Sequence, residues 1–368
     1  MSRAVHVSPR ESMAVLPKVL QPFLTWLTGV PLAGQSPLFL WSSWSLLTCT
    51  IVEILTGVLT GIAALHFLYW GVVLLPVSWL LTVGGTRTLY VVIEHSCTHH
   101  IFSRSRSANK LVAELISSLF WTHSYADFKL DHTTHHRATR LSEDPDTRFL
   151  NEWGFHAGMP IESVFRRIVR TSFSPRYHAL IFFERVRSSF SGSAFKLAAS
   201  LIYACIVACV LSIFHIWIYW IVLWIFPIVV LFQISMLLNI LTEHRWPPER
   251  QDRERNLAEV CFGRFCGERV PFTSHAAFHE RLRLWTVWWM RVVFIYVPYR
   301  VFVLVGDEPQ HDLHHRQPMS DWANAKFARF QLVSNAGQDK HGPYTEAWGS
   351  LIDHIKACST TLCVTGSK

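Results

Sequence analysis

Three short stretches of this chain concentrate the side chains best suited to holding metal. "EHSCTHH" carries His95 and His99, "DHTTHHR" carries His132, His135 and His136, and "QHDLHHR" carries His311, His314 and His315. Residues three and four apart on a helix share a face, so HxxxH and HxxHH each aim imidazoles at one point. Eight neutral imidazoles exceed the needs of one tetrahedral zinc. They suit two iron ions of five or six coordination with positions left for oxygen. One isolated HxxHH at a membrane surface reads as polar decoration as readily as a ligand set; three clusters on one side of a membrane do not.

The chain that must position them is greasy, with 368 residues that are 50% hydrophobic and 16% charged and a mean hydropathy of +0.23. That composition points to a membrane protein. In such a chain a net charge of +8 belongs to loops facing the cytoplasm and anionic lipid, and not to nucleic-acid binding. The eight cysteines form no CxxC pair, and Cys49, Cys205 and Cys209 lie in apolar runs, so all are expected to be reduced.

Four apolar runs approach the twenty or so residues that a bilayer core requires: Leu38–Leu65, Trp70–Val92, Ala194–Ile213 and Trp217–Leu241. They make two hairpins. The turns at 66–71 and 214–219 have no Lys or Arg, whereas the connection at 101–193 and the segment after Leu241 are rich in them, which places the turns outside and both termini in the cytoplasm. Leu111–Trp121 is too short to cross and reads as interfacial. Leu284–Val305 contains Arg291, Pro298 and Arg300 and opens with Trp285, Trp288 and Trp289, which assigns it to the interface or a re-entrant position. If either stretch crossed, the histidine clusters would be divided between the two sides. The expected fold is therefore an all-α integral membrane protein, four transmembrane helices in two hairpins with a cytoplasmic helical cap carrying a His-rich dinuclear metal site. It forms one domain: an interfacial segment at 1–37 without signal-peptide character, a core at 38–330 and a C-terminal tail at 331–368.

At these residues the chain resembles the integral-membrane fatty acid desaturase and hydroxylase family. "HSCTHH" corresponds to that family's first HxxxH box, "HTTHH" to its second box and "HDLHH" to its third. "NILTEHRW" resembles the segment after the last span that offers a further histidine, and the match is His244. The resemblance covers roughly residues 38 to 330. It implies a di-iron centre held by His95, His99, His132, His135, His136, His244, His311, His314 and His315, with O2 as co-substrate and a fatty acyl chain (free acid, thioester or lipid-bound) as substrate. The HxxHH second box leans toward desaturation; hydroxylation and decarboxylation to a terminal alkene stay open. No haem, flavin or iron–sulfur motif is visible, so a separate electron donor such as a ferredoxin or a reductase is implied. The expected location is the inner or plasma membrane, with the metal site cytoplasmic.

Glu94, Asp131, Glu243 and Asp312 are candidates to orient the rings through hydrogen bonds. His275 and His279, again at i and i+4, rival His244 for the ninth position. His100 points away from His99, His123 is a candidate for the approach to the site, and His66 and His215 fall in the outward turns. The contrasting class, a His-rich metal transporter, would place its ligands near the midplane within the helices; here they lie beyond the helix ends.

Overall fold

Ser42 sets the start of the first long helix, because its side chain and that of Ser45 exchange hydrogen bonds with each other's backbone N–H in a capping box. Helix α1 accordingly runs from Ser43 to His66. The span expected from Leu38 loses its first residues to an exposed approach that includes Leu38 and Leu40. The structure is a computed structural model that describes residues 7–67, 71–246, 257–273, 276–336 and 338–359.

Helix α2, Gly71–Thr88, packs along α1 at very short range. A methyl group added at Gly57 would lie 2.6 Å from Thr82 Oγ1, and one at Gly61 would lie 2.5 Å from Ser78 Oγ. Small residues four apart are what let two helix backbones approach in lipid. α2 continues through a π-wound turn, Leu89–Glu94, into a last α-turn, His95–Thr98, which carries the first box.

Helix α3, Arg106–Phe120, has Leu111, Leu115 and Leu119 exposed on one face and Ala113, Ile116 and Ser117 buried on another. Helix α4, Tyr125–Ala138, is capped by Ser124 and carries the second box. α5 (Pro145–Glu152), α6 (Ile161–Ser172) and α7 (Pro175–Ser191) follow, before α8 (Ala194–Phe214) and α9 (Trp217–Glu243) form the second long pair. The middle of α9, Ile221–Leu231, is π-wound around Pro227. Proline has no N–H, so the carbonyl five residues back, Val222, lacks its helical donor. Trp79 Nε1 of α2 supplies one at 2.9 Å.

Among the described residues three helices are long and apolar enough to cross a membrane: α1, α8 and α9. α2, expected as the second span, is not among them. Pro76, Gly84, Gly85 and Arg87 dilute its apolar run, and Trp70 lies outside the described residues. Leu284–Val305 is also not among them; it is divided between α10 (Phe278–Arg291), a π-wound turn (Val292–Tyr296) and a final turn to Phe302. Its Trp288, Val292, Tyr296 and Tyr299 are buried, while Val287, Met290 and Phe294 form an exposed apolar stripe.

The third box sits on α11, His311–Arg316, which leans on α12, Ala325–Ala336. Strand β1, Gly263–Cys266, pairs in parallel with β2, Glu346–Gly349, and α13, Leu351–Ser359, packs on α9. The segment expected as a tail thus contributes a strand and a helix to the face behind the site. Ile355 and Cys358 are buried there with Leu237, Leu241 and Phe262.

Candidate metal centre

The nine histidines singled out in the sequence meet in two groups. His95, His99, His132, His136 and His314 form one, and His135, His244, His311 and His315 the other; within each group the donor atoms all lie within 4.8 Å of one another. Helical spacing explains the division. In the second box His132 and His136, four apart, share a face and join the first group, while His135, rotated off that face, reaches the second. The third box divides the opposite way, with His311 and His315 in the second group and His314 in the first. His244 reaches the second group because the chain leaves α9 there and turns extended, with φ −131° and ψ 148°.

The rings approach tip to tip. In the first group, Nε2–Nε2 separations are 2.8 Å for His95–His132, 2.9 Å for His95–His314, 2.7 Å for His99–His132 and 2.8 Å for His136–His314. In the second they are 3.1 Å for His135–His244, 3.2 Å for His135–His315 and 2.9 Å for His311–His315. His95 Nδ1 donates to the Val91 carbonyl at 3.0 Å and His135 Nδ1 to Asp144 Oδ1 at 2.9 Å, so in their neutral forms both rings direct Nε2 lone pairs into their groups. Facing lone pairs at such distances repel unless a cation lies between them. The donor set therefore fits metal: five imidazoles around one point and four around the other.

Protonation agrees with this. Burial, reinforced by the neighbouring rings, pulls His95 down to about 3 and His136 to about 2, and burial beside His100 and Lys129 pulls His99 to about 4. His132, His244, His314 and His315 are held well below the ordinary value for the same reasons. All seven are neutral at physiological pH, the state in which imidazole binds metal. His135 and His311 go the other way. Burial again pulls both down, but the Glu243 carboxylate outweighs that for His311 and raises it, and Asp146 and Asp144 outweigh it for His135 and raise that ring to about 9.

Asp144, fully buried, holds His135 in place. Besides the ring it accepts from the backbone N–H of Arg140 at 2.8 Å and of Asp146 at 3.1 Å, the latter as N-cap of α5. The sequence reading missed it, although the Asp144-Pro145 pair at a helix start was a usable signal. Two of the four carboxylates nominated to orient rings are engaged elsewhere. Asp312 forms a bidentate pair with Arg329 at 2.8 Å, and Glu94 accepts from Thr122 at 3.3 Å. Asp131 lines the adjoining cavity. Glu243 touches a ring, but at Nε2 of His311, 2.6 Å away.

Of the rival ligands, His279 is exposed at the start of α10, outside both groups, and His275 lies outside the described residues. His100 turns away through a positive φ of 59° and lies 3.1 Å from Lys129 Nζ. His66 meets Tyr219 at 3.2 Å, far along the chain from the boxes.

A cavity of about 310 Å³ opens against this assembly. His95, His132, His135 and His311 form part of its wall, and Phe128, Phe149, Ile181, Phe232 and Met236 supply apolar lining. Its size is at the lower end of small-molecule sites, about 300–1,000 Å³. His123 also lines it, where the sequence reading placed it.

No curated protein matches the chain. The family model for fatty acid desaturases matches residues 69–267, a stretch that takes in the first two boxes, the α8–α9 pair and His244. That is more than half of the sequence, and with its apolar helices and paired histidine groups the chain is a membrane protein belonging to the fatty acid desaturase family.

Proposed function

We propose that the protein is an O2-dependent di-iron oxidase of fatty acyl chains and that its reaction is desaturation. The observation that carries this reading is the convergence of nine histidines, from three boxes and the end of α9, into two groups beside an apolar cavity. One iron would be held by His95, His99, His132, His136 and His314, the other by His135, His244, His311 and His315. Bound there, the pair would supply reduction of O2 and removal of hydrogen from an unactivated aliphatic carbon. The chain's own part is to keep seven of the nine rings neutral through burial, to fix His135 through Asp144 and His95 through the Val91 carbonyl, and to present the acyl chain from the cavity with water excluded. Electrons would come from a separate donor, a ferredoxin or a reductase.

In the membrane, α2 would serve as a fourth span beside α1, α8 and α9, with all three boxes on the cytoplasmic side. Arg166, Arg170, Arg176 and Arg187, exposed on α6 and α7 beside exposed Val169, Phe173 and Phe183, suit an anionic leaflet. There each basic residue gains roughly 1 kcal/mol near the surface. Hydroxylation and decarboxylation to a terminal alkene would use the same centre, and the product decides among them. Mass spectrometry of lipids and volatiles from cells expressing the chain, beside a His135→Ala control, tests the reading. New unsaturated acyl chains absent from the control are expected; lipid profiles identical with and without the chain would refute it.

A further inference from the structure

Among the described residues four carboxylates surround the second histidine group, and three have evident employment. Asp144 caps α5 and accepts from His135 Nδ1. Asp146 lies on the same Nδ1 side of His135, at 3.3 Å. Glu308 is paired with the buried guanidinium of Arg264 at 2.6 Å. Glu243 is different. Its Oε1 lies 2.6 Å from Nε2 of His311 and 4.0 Å from Nε2 of His244, its Oε2 accepts from Asn239 Nδ2 at 3.4 Å, and among the described residues it has no Lys or Arg within ion-pair distance. Those are the ring atoms that converge on the centre, so Glu243 stands on the inner side of the imidazoles, where a ligand belongs, and not on the outer side, where an orienting group does.

Local structure explains how adjacent residues reach one point. Consecutive side chains on a helix diverge by about 100°. Glu243 is the last helical residue of α9 and His244 is already extended, so the change of backbone swings the imidazole back toward the carboxylate. The carboxylate also restores symmetry in number, since the first group has five imidazoles and the second only four. A buried dication among neutral ligands is costly, and an anionic ligand offsets part of that cost.

We infer that Glu243 is a metal ligand, the fifth donor of the second centre, so that the two metals differ: one bound by imidazoles alone, the other by four imidazoles and a carboxylate. This inference rests on the di-iron reading above and deepens it. The test is iron content per chain, by plasma mass spectrometry after a graded chelator challenge, together with Mössbauer spectra of 57Fe-loaded protein, for the wild type, Glu243→Gln, Glu243→Ala and Glu243→Asp. The wild type is expected to hold two irons with two distinct quadrupole doublets. Glu243→Ala and Glu243→Gln should lose one iron at least tenfold more readily while the all-imidazole iron and its doublet persist, and Glu243→Asp should recover part of the loss. Two irons with unchanged retention and spectra in Glu243→Ala would overturn the inference and leave the di-iron reading intact. A wild type without two irons would overturn both.

Discussion

Replacing Asp144 by Asn changes one atom and should unseat His135, one of the proposed metal ligands. In the structure Oδ1 takes the proton of His135 Nδ1 and Oδ2 that of the Arg140 backbone N–H. An amide cannot serve both, because it has one oxygen. If that oxygen stays with Arg140, the NH2 group faces His135 Nδ1, which must then hold its lone pair there and carry its hydrogen on Nε2, the atom that points at His244 and His315. Loss of a partner that fixes a ligand's tautomer costs about 10- to 100-fold in metal affinity, or about 1.4–2.8 kcal/mol. The same orientation turns the NH2 toward the Asp146 backbone N–H and gives up the α5 cap, about 1 kcal/mol, which the fold should survive. Asp144→Ala goes further: it removes the cap of α5, worth about 1 kcal/mol, and orphans the Arg140 N–H in a buried site, about 1–3 kcal/mol. The detergent-solubilised protein should therefore melt lower by the equivalent of about 2–4 kcal/mol. Iron content against a chelator series, with thermal unfolding alongside, separates the two effects. Asp144→Asn with wild-type iron retention would refute the tautomer argument, and an unshifted melt in Asp144→Ala would refute the structural one.

Asp312→Ala leaves the Arg329 guanidinium buried without its bidentate partner and should cost about 3–5 kcal/mol in a melt, whereas pairing it with Arg329→Met should recover much of the loss. In the metal-free protein the raised pKa of His135, about 9 against an ordinary 6.5, means that protons compete with metal for Nε2. Affinity at the second centre should rise about tenfold per pH unit up to about 9 and then level, read by metal titration of apoprotein. The same shift stabilises folded apoprotein: the contribution is full below pH 6.5 and lost as pH rises through about 9, so the apoprotein should melt lower at alkaline pH, and His135→Ala should flatten that slope. A single cysteine placed at Asp321 should resist a membrane-impermeant reagent in intact cells, while one at His215 should react; labelling of Asp321 from outside would mean that α10 and the turns after it cross the bilayer.

The boxes were legible in the sequence because four-residue spacing on a helix is a local property, and the nine nominated histidines do meet. Which ring joins which group was not, since it depends on the mutual rotation of α4 and α11. Glu243 was legible as a nearby carboxylate but not as one on the Nε2 side, because that placement follows from the backbone turning extended at His244. Asp312 misled for the opposite reason: its partner, Arg329, sits 17 residues away on another helix, at a separation no short motif reports. The first, third and fourth apolar runs were readable to within a few residues at most ends. α2 was harder, since Pro76 and Arg87 obscure the apolar pattern while its glycines fit it closely against α1. The pairing of β1 with β2 left no trace in periodicity, because four-residue strands are too short to show one.

The separation between His95 and His314, 219 residues along the chain, bears on how the protein is made. A chain that enters the membrane as it is synthesised would commit α1 first, with α2 beside it as the proposed second span, and His95 and His99 must then wait through the long connection, α8, α9 and α10 before their last companion emerges. During that interval the growing chain displays incomplete groups of imidazoles to the cell, each competent to capture whichever divalent ion is abundant. The Asp312–Arg329 clasp, which secures α11 to a helix made later still, is formed only when nearly all of the chain is out. On the proposed di-iron reading metal loading would follow insertion, and cells starved of iron should accumulate inserted, protease-sensitive protein instead of failing to insert it.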